Sequence, residues 1–117
     1  MQKLGTTYGG WLIPREIELN ENSIIYSGGV GEDISFDLLL SDKYKSHIYL
    51  LDPTKKAIKH FDEIKKFYET RNWEFSGNIQ KDYKTCIEQL NPDFSNIFYK
   101  ELALWNKKDK LKFYLQN

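Results

Sequence analysis

Residues 23–54 constrain the fold of this chain more than any other stretch, because they have the pattern of a strand, a glycine turn, a helix and a second strand. The apolar run at residues 24–26 has the β-branched and aromatic bias of a buried strand. It leads directly into Ser-Gly-Gly-Val-Gly at residues 27–31. Glycine tolerates positive φ and carries no Cβ, so we predict a sharp turn that a ligand can approach closely.

The segment after the turn predicts a helix and then a second strand. Ile34 and Leu38 stand four residues apart in an apolar, helix-spaced segment, and residues 47–51 form another short apolar run. Parallel strands joined by a helical crossover bring their carboxyl ends to one edge of the sheet, where α/β proteins bind ligands. We therefore predict an α/β fold in which the glycine turn faces Asp52, the residue after the second strand.

The spacing of Asp52 suggests a nucleotide. It lies 21 residues after Gly31, close to the spacing of about 20 at which an acid meets a ribose in units of this kind. A carboxylate accepts hydrogen bonds from two vicinal hydroxyls at once.

Length and composition narrow the class of protein. We expect a single domain from 117 residues. The 17 basic and 17 acidic residues cancel, which argues against nucleic acid and membrane surfaces as partners. The single Cys86 makes no internal disulfide, and no apolar run resembles a transmembrane or signal segment. We expect a cytoplasmic setting and no metal site.

The segments on either side of this unit carry weaker signals. We interpret residues 1–22 as a lead-in, either a small hairpin or an extended arm, in which Trp11 plugs one end of the core. A ligand contact by residues 8–11 is the less favoured alternative. Residues 54–72 predict a helix with Thr54 as its N-cap and His60 on its surface.

The C-terminal part of the chain predicts a third strand, a helix and a hairpin. Residues 73–79 are interpreted as the third strand and residues 82–90 as the helix. Residues 96–105 are strongly apolar, as a strand covered on both faces is. A charged turn at residues 107–110 then leads to a final apolar strand, so residues 97–115 predict an antiparallel hairpin.

The glycine register and the neighbouring acids indicate which nucleotide is expected. A GxGxxG dinucleotide pattern counted from Gly29 has Ile34 in place of its last glycine. Glu32 and Asp33 stabilise a helix N-terminus but repel a phosphate. Both features favour S-adenosylmethionine, a cationic ligand without a pyrophosphate. A nicotinamide-binding βαβ domain remains an alternative.

Three segments together resemble the FkbM-like branch of the S-adenosylmethionine-dependent methyltransferases: GGVGEDISFD, LLDPTKKAI and GTTYGGW. The later LALWNKKDKLKFY also looks like the family's stretch after its third strand. The resemblance implies a partial Rossmann-like methyltransferase sheet, consisting of the first βαβαβ half plus a C-terminal β-hairpin. Residues 1–117 then form one truncated cofactor-binding domain.

The resemblance also implies a function and a partner. It implies transfer of a methyl group from S-adenosylmethionine to an oxygen or nitrogen acceptor, once missing elements or a partner complete the domain. A second copy or another chain is expected to cover the edge of the first strand. A non-catalytic remnant that serves as an interaction module is the alternative.

The predicted cofactor-binding residues surround the turn and Asp52. Carried over by position, Gly29 and Gly31 lie under the methionine part of the cofactor, and Asp52 holds the ribose hydroxyls. Ser27 stands where many methyltransferases carry an acid. The catalytic residue is left unassigned. The full set of cofactor-binding candidates is Ser27, Gly28, Gly29, Gly31, Glu32, Asp33, Ile34, Ser35, Asp52 and Pro53.

Overall fold

The computed structural model describes residues 1–77, 79–107 and 110–115, with side chains up to residue 103. Strands and helices alternate through the middle of the chain, and a hairpin lies at each end. The elements are β1 (Gln2–Leu4), β2 (Trp11–Ile13), β3 (Ile24–Gly28), α1 (Ser35–Tyr44), β4 (His47–Leu51), α2 (Lys55–Thr70), α3 (Lys81–Gln89), a 3-10 turn (Phe94–Asn96), β5 (Ile97–Lys100), β6 (Leu102–Lys107) and β7 (Lys110–Leu115).

The central sheet has three parallel strands in the order β3-β4-β5. Its register places Ile25 beside Ile48, and Ile48 beside Ile97. The predicted α/β class, with a parallel sheet built on residues 23–54, is therefore confirmed. The two remaining sheets are antiparallel pairs, β1 with β2 and β6 with β7.

The two faces of the central sheet differ. Ile48, Leu50 and Ile97 join one buried cluster with side chains from α1, α2 and α3, so this face carries the core. The opposite face carries a stacked aromatic row across the strands, in which the Tyr26 and Tyr49 rings lie 5.3 Å apart and the Tyr49 and Phe98 rings 4.9 Å apart.

Helix α2 begins and ends close to its predicted bounds. The Thr54 hydroxyl accepts from the Ala57 amide at 3.3 Å, which confirms the predicted N-cap. The helix ends at Thr70 and is capped by Arg71, whose φ of 62° lies in the left-handed region. The prediction of a surface position for His60 is wrong, since His60 is 2% exposed. It lies between Ala57 and Ile64 on the buried stripe, and a hydroxyl from α3 satisfies its ring nitrogen.

The third strand of the sheet is not where the sequence indicated. The described residues between 73 and 79 form no strand; the rings of Trp73 and Phe75 pack instead against Phe67 of α2. Aromatic residues favour strands only because they suit a half-buried surface, and a helix flank supplies the same burial. The third strand is β5, which lies within the segment predicted as the antiparallel hairpin.

The C-terminal hairpin is present but shorter than predicted. Glu101 separates β5 from β6, so residues 97–100 pair in the parallel sheet and only β6 and β7 form the antiparallel pair, with Leu102 opposite Leu115. Residues 108–109 of the predicted charged turn lie outside the described residues. In the described part of the chain, no helix is long and apolar enough to cross a bilayer.

Candidate functional site

The glycine turn leaves β3 at the carboxyl edge of the central sheet. Gly29 and Gly31 adopt positive φ values of 68° and 58°. A Cβ added at either position would meet no atom within 4 Å. The glycines are therefore required by the backbone conformation and not by crowding, and the space in front of the turn is open to a ligand.

Two hydrogen bonds tie this turn to the end of β4. The Gly29 amide donates to the Leu51 carbonyl at 2.8 Å, and the Gly31 amide donates to Asp52 Oδ2 at 3.0 Å. The expected closeness of the turn and Asp52 is present, and a direct bond between them adds to it. Asp52 Oδ1 accepts from both the amide and the hydroxyl of Thr54, at 2.9 and 2.7 Å. Because each carboxylate oxygen has two lone pairs, Oδ2 retains acceptor capacity.

Two open clefts flank the turn. The first, of about 590 Å³, reaches Asp52, Thr54 and Lys56. The second, of about 490 Å³, reaches Ser27 and the start of α1. The two clefts share four lining residues, Tyr8, Gly31, Glu32 and Asp33. A ligand that crosses the turn can therefore place one part in each cleft.

The predicted site residues divide into those that line a cleft and those that do not. Gly31, Glu32 and Asp33 line both clefts, Asp52 lines the first, and residues 27–29 line the second. Ile34, Ser35 and Pro53 line neither. Ile34 belongs to the core, and Ser35 is fully buried. Ile34 and Ser35 can therefore affect a ligand only through the groups that they hold in place.

The N-terminal hairpin docks onto the start of α1. Thr6 donates its hydroxyl to Asp33 Oδ2 at 2.6 Å, and its amide donates to Ser35 Oγ at 3.0 Å. The Thr7 amide donates to Asp82 Oδ2 on α3 at 3.0 Å. The segment interpreted as a lead-in is therefore a wall of both clefts.

This docking corrects the role predicted for Trp11. The side chain is 67% exposed and lines the second cleft, so it does not plug the core. Leu4, which is 6% exposed, is the residue of this hairpin that joins the buried core cluster. The Gly10 amide donates to the Thr6 carbonyl in the tight turn of the hairpin, and Tyr8 and Trp11 line the second cleft together with the glycine turn. Residues 8–11, the less favoured alternative for a ligand contact, line the second cleft, and their contact with a ligand stays a prediction.

Asp37 is a site residue that the sequence interpretation missed. It lines the second cleft but is only 5% exposed, and its Oδ1 has no hydrogen-bond partner among the described residues. Burial raises the pKa of its carboxyl to about 6, and the nearby Ser27 side chain opposes part of that rise. The sequence signal that could identify Asp37 is the position of an acid within the otherwise apolar run at residues 36–40.

The histidines lie away from both clefts. His60 Nε2 is 2.5 Å from the Tyr83 hydroxyl, which also accepts from the Ile34 amide at 3.3 Å. Burial lowers the pKa of His60 and raises the pKa of Tyr83, so both side chains are neutral at pH 7 and hold the start of α1 from behind. His47 stacks on Phe98 on the opposite face of the sheet.

Acidic side chains dominate the charge around the turn. Glu32 and Asp33 line both clefts, and Asp37 and Asp52 each line one. Lys56 is the single basic side chain among the described lining residues. This balance suits a ligand that carries positive charge and opposes one that carries phosphates.

Comparisons of the chain with protein-family models, with curated proteins and with solved structures find no match.

Proposed function

We propose that this chain is an S-adenosylmethionine-binding domain of the methyltransferase type, akin to the FkbM-like family. The observation that carries the proposal is the acid-lined glycine turn between two clefts, tied to Asp52 by the Gly31 amide. S-adenosylmethionine has an adenosine part and a positively charged amino-acid part. The adenosine part matches the cleft that ends at Asp52. The amino-acid part matches the other cleft, in which every charged side chain among the described lining residues is acidic.

The strand order supports the same proposal. The order β3-β4-β5 with helical connections corresponds to the first half of a doubly wound sheet, in which ligands bind at the carboxyl edge. We propose that the fold is a partial Rossmann-like methyltransferase sheet. Strand β3 pairs only with β4 in the described sheet, and we propose that a second copy or a completing partner chain covers its other edge.

The placement of the ligand follows from the acceptors in each cleft. We place the ribose in the first cleft, where the remaining lone pair of Asp52 Oδ2 accepts a hydroxyl. The methionine part then crosses the turn at Gly29 and Gly31 into the second cleft. Methyl transfer to an oxygen or nitrogen acceptor depends chiefly on aligning donor and acceptor, with a base as a secondary aid.

A dinucleotide fits the site less well. The sixth position of the GxGxxG pattern is Ile34, which is 1% exposed and packed in the core. A nicotinamide dinucleotide also places a pyrophosphate at the helix N-terminus, where Glu32 and Asp33 would repel it. The site therefore disfavours the affinity for NAD that the nicotinamide alternative predicts.

The decisive experiment is calorimetric titration of the folded protein with S-adenosylmethionine and, separately, with NAD. We expect saturable binding of S-adenosylmethionine and none of NAD. Failure of well-folded protein to bind S-adenosylmethionine would contradict the proposal. Preferential binding of NAD would support the nicotinamide alternative.

The second candidate function is a cofactor-binding interaction module without turnover. It is favoured by the position of both histidines, neither of which lines a cleft that could hold an acceptor. Transfer of a radiolabelled methyl group to a panel of hydroxyl and amine acceptors distinguishes the two candidates. Binding without transfer to any acceptor indicates the module.

A further inference from the structure

Tyr8 is an aromatic side chain at the crossing between the two clefts. The four described lining residues that the clefts share are Tyr8, Gly31, Glu32 and Asp33. Gly31 has no side chain and the two acids present carboxylates, so within this shared set the aromatic surface comes from Tyr8. A ligand that extends from one cleft into the other therefore passes the Tyr8 ring where its two parts join.

The hydrogen bonds of the hairpin fix the backbone on both sides of Tyr8. On one side, the Thr7 amide donates to Asp82 Oδ2 at 3.0 Å. On the other side, the Gly9 amide donates to the Thr6 hydroxyl at 2.9 Å. The Tyr8 side chain itself is 82% exposed, more than any other large apolar side chain among the described residues. The hairpin therefore holds a ring whose faces are open to a ligand at an anchored position beside the glycine turn.

The surroundings of this ring favour a particular kind of ligand group. The face of an aromatic ring is negative and attracts a cation that lies within about 6 Å of its centre. Glu32 and Asp33 line the same crossing and add to the negative potential there. A sulfonium carries a positive charge but no N–H, so a ring face and nearby carboxylates can attract it where a hydrogen-bond acceptor finds no donor.

We propose that the Tyr8 ring receives the sulfonium of S-adenosylmethionine. This inference rests on the proposed function and names the residue that distinguishes the charged cofactor from its demethylated form. The sulfonium joins the adenosine part to the amino-acid part, so it lies at the crossing when each part occupies its own cleft. In S-adenosylhomocysteine a neutral thioether joins the same two parts, and the ring has no cation to attract.

The inference predicts an effect on one ligand and not on the other. The Tyr8→Leu variant keeps an apolar side chain at the crossing but loses the ring. Calorimetric titration of native protein and variant with S-adenosylmethionine and with S-adenosylhomocysteine measures the ratio of the two affinities. We expect Tyr8→Leu to bind S-adenosylmethionine about three- to tenfold more weakly, as for loss of a cation–π contact, and to bind S-adenosylhomocysteine as the native protein does.

Two further variants serve as controls. Tyr8→Phe keeps the ring and removes the hydroxyl, so its ratio of affinities should match that of the native protein. Trp11→Leu changes an exposed aromatic residue of the same hairpin that lines the second cleft and not the crossing, so it should leave the ratio unchanged. Circular dichroism and the melting temperature establish that each variant is folded, which the exposed positions of both side chains favour.

The possible results separate this inference from the proposed function. An equal loss for both ligands in Tyr8→Leu, or no loss for either, overturns the assignment of Tyr8 and leaves the proposed function standing. The assignment also fails if Tyr8→Phe loses as much as Tyr8→Leu, or if Trp11→Leu shifts the ratio as far. Native protein that binds neither ligand overturns the proposed function and this inference together.

Discussion

The Gly31 amide donates a hydrogen bond to Asp52 Oδ2 at 3.0 Å, so one carboxylate both borders the first cleft and holds the glycine turn against β4. Asp52 also accepts two bonds from Thr54 through its other oxygen. Its replacement therefore changes the folded protein as well as the cleft.

We predict that Asp52→Ala lowers the free energy of unfolding and the ligand affinity together. Losing hydrogen bonds to a buried charged group costs about 1.5–3 kcal/mol of stability, and cofactor binding should weaken by roughly 1–3 kcal/mol. Urea denaturation and calorimetry measure the two effects. The exposed Asp62→Ala on α2 serves as the control, with a change within about 0.5 kcal/mol. Weaker binding at unchanged stability would contradict the structural role of Asp52.

Gly9 and Gly77 offer a matched pair of substitutions on the two sides of the site. A Cβ at Gly9 would lie 2.3 Å from Cγ of Asp33, which three hydrogen bonds from Thr6 and Ser35 hold in place. A Cβ at Gly77 would lie 2.9 Å from the tip of Glu32, an exposed and flexible side chain.

Gly9→Ala should therefore destabilise the protein by on the order of 2 kcal/mol, as overpacking does, and release the N-terminal hairpin to proteolysis. Gly77→Ala should cost less than about 0.5 kcal/mol, as surface changes do. Thermal unfolding and limited trypsin digestion test both variants. Equal destabilisation of the two would show that the hydrogen bonds on Asp33 do not fix its position.

The buried His60 predicts that stability falls in mild acid. Burial lowers its pKa in the folded protein below the 6.5 of the free side chain. As the pH falls through 6.5, the unfolded chain takes up a proton that the folded protein refuses, so the free energy of unfolding decreases. The His60→Gln variant should lack this part of the pH dependence in urea titrations between pH 7.5 and 5. An unchanged difference between variant and native protein across that range would refute the role of His60.

Asp37 predicts a pH dependence of the opposite sign. Its pKa is raised from 3.8 to about 6 in the folded protein, so stability from this group is complete below pH 3.8 and is lost as the pH rises through 6. Asp37→Asn should therefore stabilise the ligand-free protein at pH 7.5 by up to about 3 kcal/mol, on the scale of 1.36 kcal/mol per pKa unit. The gain should vanish near pH 4. The same gain at both pH values would show that burial of the charge is not its cause.

The elements set by local signals were predictable. The β-branched run, the glycines at 28, 29 and 31, and the Thr54 cap each act within a few residues of their position in the chain. They led to β3, α1, β4 and α2, and to Asp52 beside the turn.

The elements that depend on distant partners were not predictable. The aromatic rings of Trp73 and Phe75 pack on α2 and not in the sheet, a choice that strand propensity does not encode. His60 is buried because Tyr83, 23 residues away, meets its ring nitrogen. Trp11 is exposed on a hairpin that Thr6 anchors to Asp33 and Ser35, which are distant in the chain.

The docking of the N-terminal hairpin has a consequence for the order in which the site forms during translation. The hairpin depends on Asp33 and Asp82, which are synthesised after it. A two-stranded hairpin alone is marginally stable in water, so the hydrogen bonds of Thr6 and Thr7 form only after their acceptors have been made. The N-terminal hairpin is therefore the last wall of the clefts to settle, and the binding surface is incomplete until Asp82 has been synthesised.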